Sequence, residues 1–179
     1  MISKKGKILV TGGAGYIGSH AVKALLEKNY EVVVFDSLKR GWKEPVDLLK
    51  KKYSSLDFYK GDLKIFSQIN KVFEKEKITG VLHFAALCLV NESMEKPADY
   101  FENNVFGTLN LLKAMRRHQV LRLIFSSTCA VYGENQYLPV DEKHPVNPGN
   151  PYGESKRMAE LEIKWFGQLF DLKYIIFRY

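Results

Sequence analysis

Eight residues near the start of the chain, Thr11-Gly12-Gly13-Ala14-Gly15-Tyr16-Ile17-Gly18, contain four glycines. They lie between a short apolar run, Lys7-Ile8-Leu9-Val10, and a helical pattern carried by Ile17, Ala21, Ala24 and Leu25. No other feature narrows the fold as much, because the chain must pass from strand to helix in one tight turn. The glycines satisfy both GxGxxG (13, 15, 18) and GxxGxxG (12, 15, 18). Such a turn meets three physical needs: a sharp reversal, a backbone bare enough for a pyrophosphate to reach a helix N-terminus, and close packing of helix on strand. The next apolar run, Glu31-Val32-Val33-Val34-Phe35, completes strand, helix, strand in about 30 residues.

The alternation continues. Further strands are expected at Leu56-Asp57-Phe58-Tyr59, Gly80-Val81-Leu82-His83-Phe84, Arg122-Leu123-Ile124-Phe125-Ser126 and Lys173-Tyr174-Ile175-Ile176-Phe177. Several are β-branched or aromatic without alternation, the pattern of strands covered on both faces. Helices are expected near 65–76, 95–117 and 151–168, and residues 133–149, with Pro139, Pro145 and Pro148, read as a loop. The series predicts an α/β fold: a doubly wound parallel sheet of Rossmann type, helices on both faces and ligands at the carboxyl ends of the strands.

A chain of 179 residues holds one domain, read as a dinucleotide-binding domain over 1–179. The net charge of +7 raises the question of nucleic acid, but Lys supplies 21 of the 27 basic residues, and Lys50-Lys51-Lys52 is the only run of three. A nucleic-acid face draws on Arg and interleaved aromatics, so a solvated lysine surface is the reading, with no nucleic-acid partner. No apolar stretch is long enough to span a membrane, and the N-terminus carries no signal-peptide apolar region. The expectation is a cytoplasmic protein. Cys88 and Cys129 lie 41 residues apart without metal-ligand spacing, so reduced thiols and no metal are expected.

The second strand ends in Phe35-Asp36, 18 residues beyond Gly18, near the spacing at which a carboxylate accepts hydrogen bonds from adenosine ribose hydroxyls. A carboxylate there repels a 2′-phosphate and favours NAD over NADP; Lys39 and Arg40 beside it pull the other way. No GKS or GKT follows the glycines, which excludes a P-loop. Asp62, after the third strand, is placed to meet an adenine amino group. His83-Phe84-Ala85-Ala86 ends the fourth strand, and its small residues, Ala85 and Ala86, would let a dinucleotide lie against the backbone.

Tyr152 and Lys156 are the candidate catalytic pair. With 10 Tyr and 21 Lys, about one Tyr-x-x-x-Lys arises by chance, so position carries the weight. Asn150-Pro151 reads as N-cap and first helical residue, which puts Tyr152 and Lys156 one turn apart on one helix face. An ammonium near a phenol favours the phenolate and equips Tyr152 as a base. Ser126-Ser127-Thr128, at the end of the fifth strand, delivers hydroxyls to the same edge of the sheet.

Together the glycine turn, Asp36, Gly61-Asp62, residues 83–86, Ser126-Ser127-Thr128 and Tyr152-Gly153-Glu154-Ser155-Lys156 resemble the extended short-chain dehydrogenase/reductase family. Val90-x-Glu92-Ser93, Lys96-Pro97, Tyr100, Asn103-Asn104-Val105, Gly107-Thr108 and residues 127–133 are similar to its UDP-glucose 4-epimerase group. The resemblance implies NAD-dependent interconversion of UDP-glucose and UDP-galactose through a 4-keto intermediate. Thr128, Tyr152 and Lys156 would be catalytic, and Ser127, Thr128 and Tyr152 would meet the UDP-sugar. It extends the cofactor set, beyond Gly12, Gly15, Asp36, Asp62 and residues 84–86, to Tyr16, Ile17, Gly18, Leu63, Asn103, Ser126, Tyr152, Lys156 and Tyr179. It also implies a homodimer formed through the helices near 95–117 and 151–168. Related dehydratases carry an acid-base pair after the strand-end Thr; Cys129 and Ala130 stand there and cannot transfer that proton. Two departures, Cys88 for a family Lys and Ser37 for a common Asn, are expected to weaken cofactor binding. The sequence stops at the expected sixth strand, so the C-terminal substrate domain of the family is missing from it. An NAD-binding chain without turnover, another nucleotide-sugar member of the family and a dinucleotide-sensing interaction module therefore stand as alternatives.

Overall fold

The unalternating apolar runs form the interior of a six-stranded parallel sheet in the computed structural model, which describes residues 5–179. Residues 1–4, which bear on the reading of the N-terminus, lie outside the described residues. The strands are β1 (Lys5–Thr11), β2 (Tyr30–Asp36), β3 (Leu56–Lys60), β4 (Ile78–His83), β5 (Arg122–Ser126) and β6 (Lys173–Phe177), in the order β3-β2-β1-β4-β5-β6. Val10 of β1 pairs with Val34 of β2 on one side and Leu82 of β4 on the other. The order reverses between β1 and β4, which opens a crevice at their carboxyl ends.

Successive residues of a strand face opposite sides, and β1 divides the core accordingly. Val10 packs with Val22 and Leu26 of α1 (Tyr16–Glu27) and Val46 of α2 (Lys43–Lys52). Leu9 belongs to the opposite layer, with Ile69 of α3 (Phe66–Lys75), Leu111 and Met115 of α6 (Gly107–Arg117) and Ile163 of α7 (Pro151–Phe170). Helices thus cover both faces, as expected. α1 and α2 shield only the β1–β3 half of theirs, and an open apolar groove follows β4 to β6 past Ile8, Leu82, Ile124 and Ile175. Among the described residues no helix is long and apolar enough to cross a membrane.

Three elements differ from expectation. α2 carries too weak a periodicity to be marked, since Val46 is its one fully buried residue; the Lys50-Lys51-Lys52 run forms its last turn, where cations favour the negative end of the helix dipole. The helix expected over 95–117 is preceded by a separate one, α4 (Val90–Glu95). Pro97 cannot continue α4 and holds Lys96 at φ −130°, ψ 57°. From α5 (Pro97–Tyr100) the chain stays helical through a π-helical segment (Phe101–Phe106) into α6.

Candidate active site

The glycine turn and the loops after β2, β3 and β4 enclose one cleft at the switch point. Gly12, Gly15, Asp36, Asp62, Leu63, Phe84, Ala85, Ala86 and Asn103 line it, nine of the residues singled out from sequence. Gly12 has φ +72°, and a Cβ there would stand 2.5 Å from the Ala85 nitrogen. A Cβ on Gly18 would strike the Gly12 carbonyl, so α1 reaches the turn only because that position is bare. Gly15 precedes α1 with no side-chain cap, and the first turn holds no acidic residue. Its orphan N–H groups and positive dipole end therefore suit an anion.

Asp36 is nearly buried and braces the cleft. Its Oδ2 accepts from Ala14 N at 3.0 Å and its Oδ1 from Leu38 N at 2.8 Å, tying the glycine turn to the end of β2. Asp62 Oδ1 accepts from Lys64 N at 2.9 Å, and Asp62 Oδ2 lies 3.4 Å from Lys39 Nζ. Tyr16 is 83% exposed and Ile17 half-exposed, so their side chains stay outside the cleft while their backbone opens α1.

Ser126, Ser127, Thr128, Tyr152, Lys156 and Tyr179 gather at the ends of β5, β6 and α7, outside the residues lining the cleft. Asn150 Oδ1 accepts from Gly153 N at 2.8 Å and Pro151 begins α7, the cap that the sequence predicts. The Thr128 hydroxyl accepts from Ala130 N at 3.1 Å, and Thr128 acts on the Tyr152 phenol to lower its pKa. Tyr179 Oη donates to Ser126 Oγ at 2.8 Å. Ser127 differs from its expected placement: it is 3% exposed and donates to Glu160 Oε1 at 2.5 Å, so its hydroxyl faces α7 and not the open side.

The electrostatics also depart from expectation. Lys156 is 2% exposed, its Nζ 4.2 Å from the centre of the Phe125 ring, and burial brings its pKa down to about 7. Tyr152 lies above its ordinary value because burial outweighs the hydrogen bond from Thr128. The depression of the phenol expected from Lys156 therefore does not prevail over the burial of the phenol itself. His83, at the end of β4, is buried and held down to about 3, by burial first and then by Lys156. Thr108 donates its proton to Asn104 O at 2.6 Å and so accepts from His83 Nε2 at 2.9 Å. His83 Nδ1 then accepts from Thr11 Oγ1 at 2.6 Å, a neutral histidine joining β1, β4 and α6.

Two positioning groups escaped the sequence reading. Asn104, inside the π-helical segment, accepts from Leu87 N at 2.9 Å and donates to Leu87 O at 3.0 Å and Ser155 Oγ at 2.9 Å; Ser155 in turn donates to Tyr152 O at 2.7 Å. This clamps the loop after β4 to the turn of α7 that carries Tyr152. Glu160, 1% exposed, receives Arg178 Nε at 2.9 Å and Arg178 Nη2 at 2.6 Å, a buried fork joining α7 to the chain after β6. A signal was present for Glu160: it lies four residues beyond Lys156 and eight beyond Tyr152, on the same helix face.

Residues 8–179 match the NAD dependent epimerase/dehydratase family. The chain is 44% identical over 172 residues to the UDP-glucose 4-epimerase of Halalkalibacterium halodurans, across 96% of this chain and 49% of that one. Among solved structures it is similar to the UDP-Glc/GlcNAc 4-epimerase of Campylobacter jejuni, with TM-score 0.95 and 40% identity over 98% of this chain and 53% of that one. The UDP-glucose 4-epimerase of Brucella ovis in complex with NAD gives TM-score 0.91 and 40% identity over 98% and 52%. The chain thus spans about half the length of the relatives it matches.

Proposed function

The chain belongs to the NAD dependent epimerase/dehydratase family, and on that premise we propose that it is the cofactor-binding and proton-transferring half of an enzyme that inverts C4 of a UDP-sugar, interconverting UDP-glucose and UDP-galactose. The residues present fit NAD. The uncapped start of α1 would take the pyrophosphate, Asp36 the adenosine ribose, Asp62 the adenine, and the backbone of residues 84–86 the length of the dinucleotide. When bound there, NAD would supply a reversible hydride acceptor for C4 of the sugar. Tyr152 takes the proton of the 4-hydroxyl, with Thr128 bridging phenol and substrate oxygen, and gives it back once the ring has turned. Lys156 holds the nicotinamide ribose and, when protonated, supplies the positive charge that favours the phenolate.

The observation that carries this reading is that Tyr152 and Lys156 stand one turn apart at the start of α7, Lys156 against Phe125 of β5 and Tyr152 acted on by the Thr128 hydroxyl that follows β5, while the loops after β2, β3 and β4 line the cleft. Cys129 and Ala130, which follow Thr128 in a short 3₁₀ turn, offer no acid-base pair and favour epimerisation over dehydration. The partner that the surface suits is a second copy. Phe106, Met158, Leu161, Trp165 and Leu169 are all exposed on the π-helical segment and α7, an apolar face too extensive for a solvated helix.

Calorimetric titration with NAD tests the proposal. Wild type and Tyr152→Phe are expected to bind and Asp36→Ala to lose binding; a wild type that takes up no NAD refutes it. Conversion of UDP-galactose to UDP-glucose, abolished in Tyr152→Phe, tests the chemistry in a chain that includes the segment corresponding to the second half of the relatives.

A further inference from the structure

We propose that Arg40 and Glu92 form a strap across the dinucleotide cleft that slows the exchange of NAD. The inference rests on reading that cleft as the NAD site. In the sheet β1 lies between β2 and β4, so the loops after β2 and β4 flank the glycine turn on either side. Arg40 stands on the first loop and lines the cleft; Glu92 is on α4, five residues past Leu87 on the opposite wall. Arg40 Nη2 reaches both carboxylate oxygens of Glu92 at 2.5 Å. The pair therefore passes over the turn and the start of α1, where a pyrophosphate would cross. A second bridge, Lys39 to Asp62 at 3.4 Å, leaves the same loop toward β3.

Both ends of the strap are anchored. On the Arg40 side, Leu38 is held at φ +60° with its N–H on Asp36, and Trp42 N donates to Ala14 O at 3.0 Å, so residues 38–42 are pinned to the glycine turn. On the far side, the Tyr100 hydroxyl lies 3.0 Å from Glu92 Oε2 and 2.7 Å from Leu89 O, and accepts from Leu89 N at 2.9 Å. Tyr100 is fully buried and meets Tyr152 edge-on, 6.3 Å between ring centres. The strap thus runs from the adenosine end of the cleft to the wall of the catalytic tyrosine. Its own members are half-exposed at Arg40 and a quarter exposed at Glu92, so it opens without disturbing the core.

The test is the rate at which labelled NAD leaves the 179-residue chain when chased with excess unlabelled NAD, for wild type, Glu92→Gln, Arg40→Gln and the double variant. Each single variant is expected to release NAD roughly two- to fivefold faster, in keeping with one partly exposed ion pair. The double variant should be no faster than either single one, since both break the same contact. The sign at Glu92 is diagnostic. If it acted only as a charge near an anionic cofactor, removing it would slow release; unchanged or slower release from Glu92→Gln overturns the strap, as does simple additivity in the double variant. Thermal melts of each variant exclude unfolding as the cause of faster release, and should Glu92→Gln fail to fold, Arg40→Gln against wild type with and without high salt decides. A wild type that binds no NAD refutes the cofactor reading and the strap together, whereas binding with identical release rates refutes the strap alone.

Discussion

Replacing Lys156 with methionine is expected to stabilise the chain below neutral pH while weakening its hold on the cofactor. The lysine is 2% exposed, and its pKa stands at about 7 in the folded chain against 10.5 as the ordinary value, with burial the leading cause. Between about 7 and 10.5 the unfolded chain keeps a proton on this group that the folded chain has shed, so stability rises with pH across that window. Below about 7 both states are protonated and the folded state carries the whole desolvation cost. At about 1.4 kcal/mol per pH unit that displacement corresponds to roughly 5 kcal/mol. Methionine has a similar volume and no charge, but it gives up the contact of Nζ with the Phe125 ring, about 1 kcal/mol. A net gain of roughly 2–4 kcal/mol at pH 6, shrinking toward zero by pH 10, follows from these terms. Urea unfolding of both proteins at pH 6 and pH 9 measures it. Burial, the larger cause of the low His83 pKa, persists in the variant, so acidification costs stability through His83 in both proteins, and the difference between them reports Lys156 together with its smaller effect on His83. Parallel pH profiles, or a variant less stable than wild type at pH 6, would refute the argument that this charge is held at the expense of stability.

Breaking the buried fork by Glu160→Gln leaves Arg178 without its carboxylate and is expected to lower the unfolding free energy by roughly 3–5 kcal/mol, read from denaturant melts. Gly12→Ala forces a side chain into a left-handed turn against Ala85 and should abolish NAD binding in calorimetry while costing at least about 1 kcal/mol of stability. At the opposite edge of the sheet, burial raises the Glu76 carboxyl, but hydrogen bonds from Lys7 and Tyr59 bring it below its ordinary value. Its contribution is therefore present above the usual carboxylate range and lost as pH falls through the folded pKa, so Glu76→Gln should remove part of the acid-induced loss of stability seen in wild type at pH 3–5.

Glycine spacing, apolar runs and caps are local properties, and they carried the six strands, the chief helices and the cleft residues Gly12, Gly15, Asp36, Asp62 and 84–86 directly from sequence, whereas Leu63 and Asn103 came from the family resemblance. Asn150 capping Gly153 N is the clearest instance, since its partner lies three residues away. α2 was illegible because one buried valine leaves almost no periodic signal, and Asn104 because its partners lie 17 and 51 residues distant. The protonation of the site was beyond local reading for a different reason. A one-turn spacing places Lys156 beside Tyr152, but the strength of their coupling depends on how deeply the other layers bury the ammonium. By itself, then, the sequence determined the doubly wound sheet, the dinucleotide turn and the face of α7 that carries Tyr152 and Lys156. Only the tertiary structure decided that Ser127 turns toward Glu160, that Lys156 titrates near neutrality and that Arg40 spans the cleft to Glu92. Hydrogen bonds and desolvation act between groups far apart in the chain, and folding alone fixes their distances.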